Sequence, residues 1–134
     1  MSEEELISFP DYFPDTTSTV HLKGPTGRLE AITDQPAEGS IQPAVAIICH
    51  PHPQHGGTMR NKVVTILERS LRELGLLTIR FNFRGVGESE GEYDDGQGEL
   101  EDLQAVISWA REVCPEHELW LAGFSFGSAI AARA

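Results

Sequence analysis

Basic residues are scarce in this chain. Only 10 Lys and Arg stand against 21 Asp and Glu, a formal charge of −11 over 134 residues. A surface that negative repels phosphate backbones, and the basic residues form no dense cluster, so nucleic acid is not expected as a partner. Long apolar runs are missing too. No stretch approaches the roughly 20 residues that cross a bilayer, and the start, MSEEEL, is acidic where a secretory leader is basic. A soluble protein with no membrane partner is the expectation. Cysteine is nearly absent. Cys49 and Cys114 lie far apart without CxxC spacing, which excludes a disulfide framework and suits a reducing cytoplasm. Cys49, inside an apolar run, reads as a buried small hydrophobe and not as a nucleophile.

What is present suits a globular domain. Apolar residues make up 40% and charged residues 23%, and the length leaves room for one hydrophobic core. Residues 1–15, with three consecutive glutamates and the segment FPDYFP, read as an irregular arm. Thr19–Leu22 and Arg28–Ile32 alternate in polarity around Gly24-Pro25-Thr26-Gly27, which predicts a hairpin. A loop rich in Pro, Gly and Ser follows over 33–43. The uninterrupted run Ala44–Cys49 suits a strand covered on both faces. Val63, Val64, Leu67, Leu71 and Leu74 recur at helical spacing, Glu68 and Arg72 form an i,i+4 pair, and Gly75 is a stop. Leu76–Phe81 is the next strand. Leu100, Leu103, Ile107 and Ala110 mark a second helix, with Glu99, Glu101 and Asp102 at the positive end of its dipole. Leu119–Ala122 is a fifth strand. Strands alternating with helices imply an α/β domain with a mainly parallel sheet.

The fifth strand runs straight into Gly123-Phe124-Ser125-Phe126-Gly127, followed by a small-residue stretch that can be helical. GxSxG fixes three positions only, but strand before and helix after is the context that gives it meaning. A nucleophilic serine at the tip of a sharp turn needs unusual backbone angles, and side chains at 123 and 127 would collide with neighbouring elements. Ser125 is the candidate nucleophile. The N–H of Phe126, at the helix start, is a candidate oxyanion donor.

Directly after the third strand comes His50-Pro51-His52-Pro53-Gln54-His55-Gly56-Gly57. In a serine hydrolase of this architecture, that loop supplies the second oxyanion donor. Pro51 and Pro53 lack an N–H, which leaves that of His52. The same segment permits a second chemistry. HxHxxH can gather three imidazoles around Zn²⁺, and it is similar to the HxHxDH segment of metallo-β-lactamase-like hydrolases, with Gln54 in place of the carboxylate. The turn Asn82–Gly91 resembles a dinucleotide fingerprint but has Glu90 where the last glycine belongs, and its carboxylates repel a pyrophosphate. It reads as a tight turn beside the site, with Arg84 tied into hydrogen bonds.

Taken together, HPHPQHGGTMRNKVV, FNFRGVGESEG and GFSFG, in this order and spacing, resemble the small bacterial-type α/β-hydrolase superfamily proteins related to dienelactone hydrolases and short-chain esterases. The resemblance runs from about Val20 to Ala134. It implies the α/β-hydrolase fold, with the five expected strands in the order 1-2-4-3-5, Ser125 as nucleophile, an oxyanion hole at Phe126 and the 50–52 loop, and a small-molecule acyl substrate with no cofactor or metal. Gln54 and His55 stand where that family is expected to carry apolar or aromatic residues. In this fold the triad order is serine, acid, histidine, yet none of the nine residues after Ser125 is Asp, Glu or His. Residues 16–134 therefore read as the N-terminal part of a hydrolase domain, without a complete triad and inactive by itself. Two alternatives stay open: a non-catalytic remnant or binding module, and a zinc hydrolase built on His50, His52 and His55.

Overall fold

The computed structural model describes residues 5–37 and 42–134. The first four residues of the expected arm, and positions 38–41 of the Pro- and Gly-rich loop, lie outside the described residues. Six strands form one sheet in the order β1-β2-β3-β5-β4-β6. They are β1 (Glu5–Ser8), β2 (Ser18–Gly24), β3 (Gly27–Asp34), β4 (Ala44–Cys49), β5 (Leu77–Phe81) and β6 (Glu118–Gly123). Three helices accompany them: α1 (Lys62–Glu73), α2 (Gln97–Val113) and α3 (Phe126–Arg133). Leaving β1 aside, the strands fall in the order 1-2-4-3-5 that the family resemblance implied.

The hairpin turns at Pro25-Thr26, with Gly24 opposite Gly27, and β3 then pairs antiparallel with β5. Strand β4 pairs parallel with β5 on one side and with β6 on the other. All six β4 residues are buried, which is why its sequence does not alternate. Its residues divide between the two faces instead. Val45, Ile47 and Cys49 join the main core with Leu103, Val106 and Ala110 of α2 and Ile130 of α3, whereas Ala44 and Ala46 meet Leu71 and Leu76 on the α1 side. Full burial of each Val or Ile here contributes about 1.5–3 kcal/mol.

One expectation is corrected. Within the stretch read as irregular, Glu5–Ser8 forms β1, paired in parallel with β2 from Glu5↔Ser18 to Ser8↔His21. Its four residues are too short to show a period, and the pairing with β2 decides their conformation. The rest of the arm is held by packing: Phe13 stacks on Trp109 with centroids 6.0 Å apart, and Trp109 Nε1–H donates to the Pro10 carbonyl at 2.7 Å.

The acidic residues at the α2 start do more than complement a dipole. Glu99 is fully buried, and its two carboxylate oxygens accept from the N–H groups of Gly96 and Asp94, both at 2.8 Å. Asp102 is also fully buried. It accepts from the Arg84 backbone N–H at 2.9 Å and pairs with the guanidinium, whose Nη2 also donates to the Gly98 carbonyl at 2.7 Å. Arg84 thus locks the end of β5 to the first turn of α2, and Asp102 pushes the guanidinium pKa above its ordinary value. No helix among the described residues is long and apolar enough to cross a membrane.

Candidate active site

Strand β6 delivers the chain to an exposed tip. Ser125 has φ 57° and ψ −121°, a conformation that costs a non-glycine residue about 1–3 kcal/mol. A serine before a helix ordinarily turns its hydroxyl back to cap the first amides. Here the side chain makes no capping bond. The turn is held by backbone groups, since Gly127 N–H donates to the Phe124 carbonyl, and Ser128 and Ala129 N–H both donate to that of Ser125. Phe126, first in the helix, has an N–H with no acceptor within its own helix.

The two motif glycines mark backbone approaching backbone. A Cβ on Gly123 would stand 2.6 Å from the Gly127 carbonyl carbon, and one on Gly127 would stand 2.2 Å from the Cys49 carbonyl oxygen and 2.5 Å from that of His50. The serine turn therefore sits directly on the end of β4, where the histidine loop begins.

That loop divides its histidines. His50 is fully buried: Nδ1 meets the Pro51 carbonyl at 2.7 Å, and Nε2 accepts from the Phe83 N–H at 3.1 Å. One nitrogen donates and one accepts, which only a neutral ring satisfies. Burial lowers its pKa to about 4. His52 faces the site. Its ring centroid lies 4.9 Å from Phe126, 4.5 Å from His55 and 5.1 Å from Tyr93. Its carbonyl accepts from the N–H groups of His55 and Gly57, which closes a short 3₁₀ turn over Pro53–His55. The far end of the loop is tied down as well: Met59 N–H donates to Asn82 Oδ1 at 2.8 Å, and the Met59 carbonyl accepts from Arg80.

The three imidazoles are therefore not brought together, and the zinc alternative loses its ligand set: both His50 nitrogens serve the interior, and both His52 nitrogens have partners. Among the described residues no group of three His, Cys, Asp or Glu is placed to hold a metal ion. Cys49 is fully buried with its thiol pushed up to about 12, so it behaves as the small hydrophobe its context suggests. The site does bring Ser125, Phe126 and His52 into one neighbourhood and adds Tyr93, which the sequence reading passed over inside an acidic loop. Clefts of about 390 and 310 Å³ lie elsewhere, beside Trp120 and Trp109 respectively, and Ser125 lines neither.

His50 also sets a pH dependence. Between its unfolded value near 6.5 and its folded value of about 4, the unfolded chain binds a proton that the folded chain refuses. Stability is thus full above pH 6.5 and falls by about 3 kcal/mol as pH drops toward 4, after which this group adds no further change. Urea titrations at pH 7 and pH 4.5 are expected to show that loss, and His50→Gln is expected to flatten it.

Residues 47–134 match the family model of the alpha/beta hydrolase fold. The chain belongs to the α/β-hydrolase fold family. A protein from Xanthomonas campestris, XC6422, described as an α/β serine hydrolase without a lid, superposes with a TM-score of 0.91 at 49% identity, over 94% of this chain and 58% of that one. An α/β serine hydrolase homologue from Coxiella burnetii gives a TM-score of 0.87 at 52% identity, over 90% of this chain and 58% of the other. The uncharacterized protein RP471 of Rickettsia prowazekii is 39% identical over 113 residues, 84% of this chain and 47% of its own length. The chain spans between about a third and a half of the length of the curated relatives it matches. In this α/β-hydrolase fold the serine turn follows β6 and the histidine loop follows β4, both at the carboxyl ends of parallel strands.

Proposed function

We propose that this α/β-hydrolase chain carries the nucleophile and oxyanion hole of a serine hydrolase acting on an ester or other acyl substrate. Ser125 Oγ attacks the acyl carbonyl, its proton passes to a histidine, and the alcohol departs with that proton. Water then cleaves the acyl-enzyme by the reverse proton path. The N–H groups of Phe126 and His52 stabilise the oxyanion, each worth about 2.7–4 kcal/mol in such sites. The base and the acid orienting it are assigned to sequence outside residues 126–134, which contain no Asp, Glu or His. The observation that carries this reading is the Ser125 conformation, φ 57° and ψ −121° with an uncommitted hydroxyl, between a parallel strand and a helix.

A fluorophosphonate probe applied to the protein as its native source makes it tests the reading. Peptide mapping is expected to find the adduct on Ser125. A folded protein that takes up no probe would establish the non-catalytic alternative instead.

A further inference from the structure

Tyr93 belongs to neither the serine motif nor the histidine motif, yet its hydroxyl lies 3.1 Å from His52 Nε2. Its ring is 5.1 Å from that of His52 and 6.2 Å from that of Phe126. The other nitrogen of His52 is engaged as well, because the Gln54 N–H donates to Nδ1 at 3.1 Å. An amide N–H donates only to a nitrogen with a free lone pair. Nδ1 is therefore bare, and in the neutral ring the hydrogen sits on Nε2. Among the described residues, the acceptor that Nε2–H then meets is the Tyr93 oxygen. Desolvation, with the charges of Asp95 and Glu99, raises the phenol pKa, so the hydroxyl stays neutral.

The geometry points to Tyr93 as a positioning residue that anchors the Nε2–H of the His52 tautomer set by the Gln54 amide, and so fixes the backbone carrying the second oxyanion donor. Its effect on rate rests on the serine-hydrolase reading above; the tautomer does not. The chain of causes is short. His52 Nδ1 and its own carbonyl organise the turn over 53–55, and the same ring is anchored at Nε2 to a segment arriving from β5. With both ends held, the ring cannot swing out, and the His52 amide is set before negative charge develops. The nearby His55 ring, stacked at 4.5 Å, closes the open side.

The test uses the ¹⁵N-labelled protein as its native cell makes it. A long-range ¹H–¹⁵N spectrum is expected to show His52 with hydrogen on Nε2 and a bare Nδ1. Tyr93→Phe keeps the ring and removes the acceptor, so Nδ1 is expected to stay bare under the Gln54 N–H while the Nε2–H signal shifts and exchanges faster with water. The maximal rate of fluorophosphonate labelling at Ser125 is expected to fall roughly ten- to a hundredfold, with the half-saturating probe concentration unchanged. His52→Asn offers a second route, because Asn caps the Gln54 N–H but does not reach Tyr93. It is expected to label as slowly as Tyr93→Phe, and the double variant no more slowly than either. Hydrogen on Nδ1 in the wild type, or losses that add in the double variant, would overturn the clamp. Absence of wild-type labelling would instead overturn the serine reading, so the two failures are distinct.

Discussion

Ser125→Ala is expected to lower ester turnover by the protein from its native source by roughly 10⁴-fold or more, with the fold intact. On the proposed serine-hydrolase reading, removing the nucleophile leaves only the oxyanion donors and binding to act on the substrate. Stability gives the companion result. Ala at φ 57° is as strained as Ser, so its unfolding midpoint stays close to wild type. Ser125→Gly accepts that conformation freely and is expected to gain about 1–3 kcal/mol in urea unfolding while losing activity equally. A glycine variant no more stable than wild type would mean the turn stores no strain.

The second large effect belongs to Asp102. Its carboxylate is fully buried and meets both the backbone N–H and the guanidinium of Arg84, itself only 6% exposed. Asp102→Ala leaves the guanidinium buried with the Gly98 carbonyl and a 3.8 Å approach of Glu101 as its remaining partners. A loss of about 3–5 kcal/mol is expected from thermal or urea unfolding, because a buried guanidinium loses its one directly hydrogen-bonded carboxylate. The damage is expected to extend to the site. The pair joins the end of β5 to the start of α2, and the segment between them carries Tyr93. An unfolding free energy within 1 kcal/mol of wild type would show that Arg84 simply rotates to solvent.

Most of the architecture was legible because it is written in local pattern. The all-apolar β4, the helical spacing of α1 and the Pro-Thr hairpin turn each declare themselves within a dozen residues, and their alternation implies the sheet. The serine turn was legible for a related reason: its glycines answer a steric demand made by residues only a few positions away or by one neighbouring strand. Strand β1 was not, since ELIS acquires its conformation from β2. The roles of Glu99 and Asp102 were also hidden. Sequence offered an acidic first turn, and only tertiary contact turns one carboxylate into an amide cap and the other into a buried partner for Arg84. The histidine loop shows the same divide. Proline spacing singled out the His52 amide, but nothing local says that His50 turns inward to Phe83 or that His52 reaches Tyr93 from another segment.

Gly127 rests on the carbonyls of Cys49 and His50 with no side chain between them. Strand β4 is itself held on both edges, by β5 and β6. The serine turn consequently shares a cooperative unit with the middle of the sheet. The Gly127, Ser128 and Ala129 amides, bonded to the Phe124 and Ser125 carbonyls, are expected to exchange slowly, whereas the unbonded Phe126 N–H is not. The turn is seated on the sheet beneath it and not on a loop of its own.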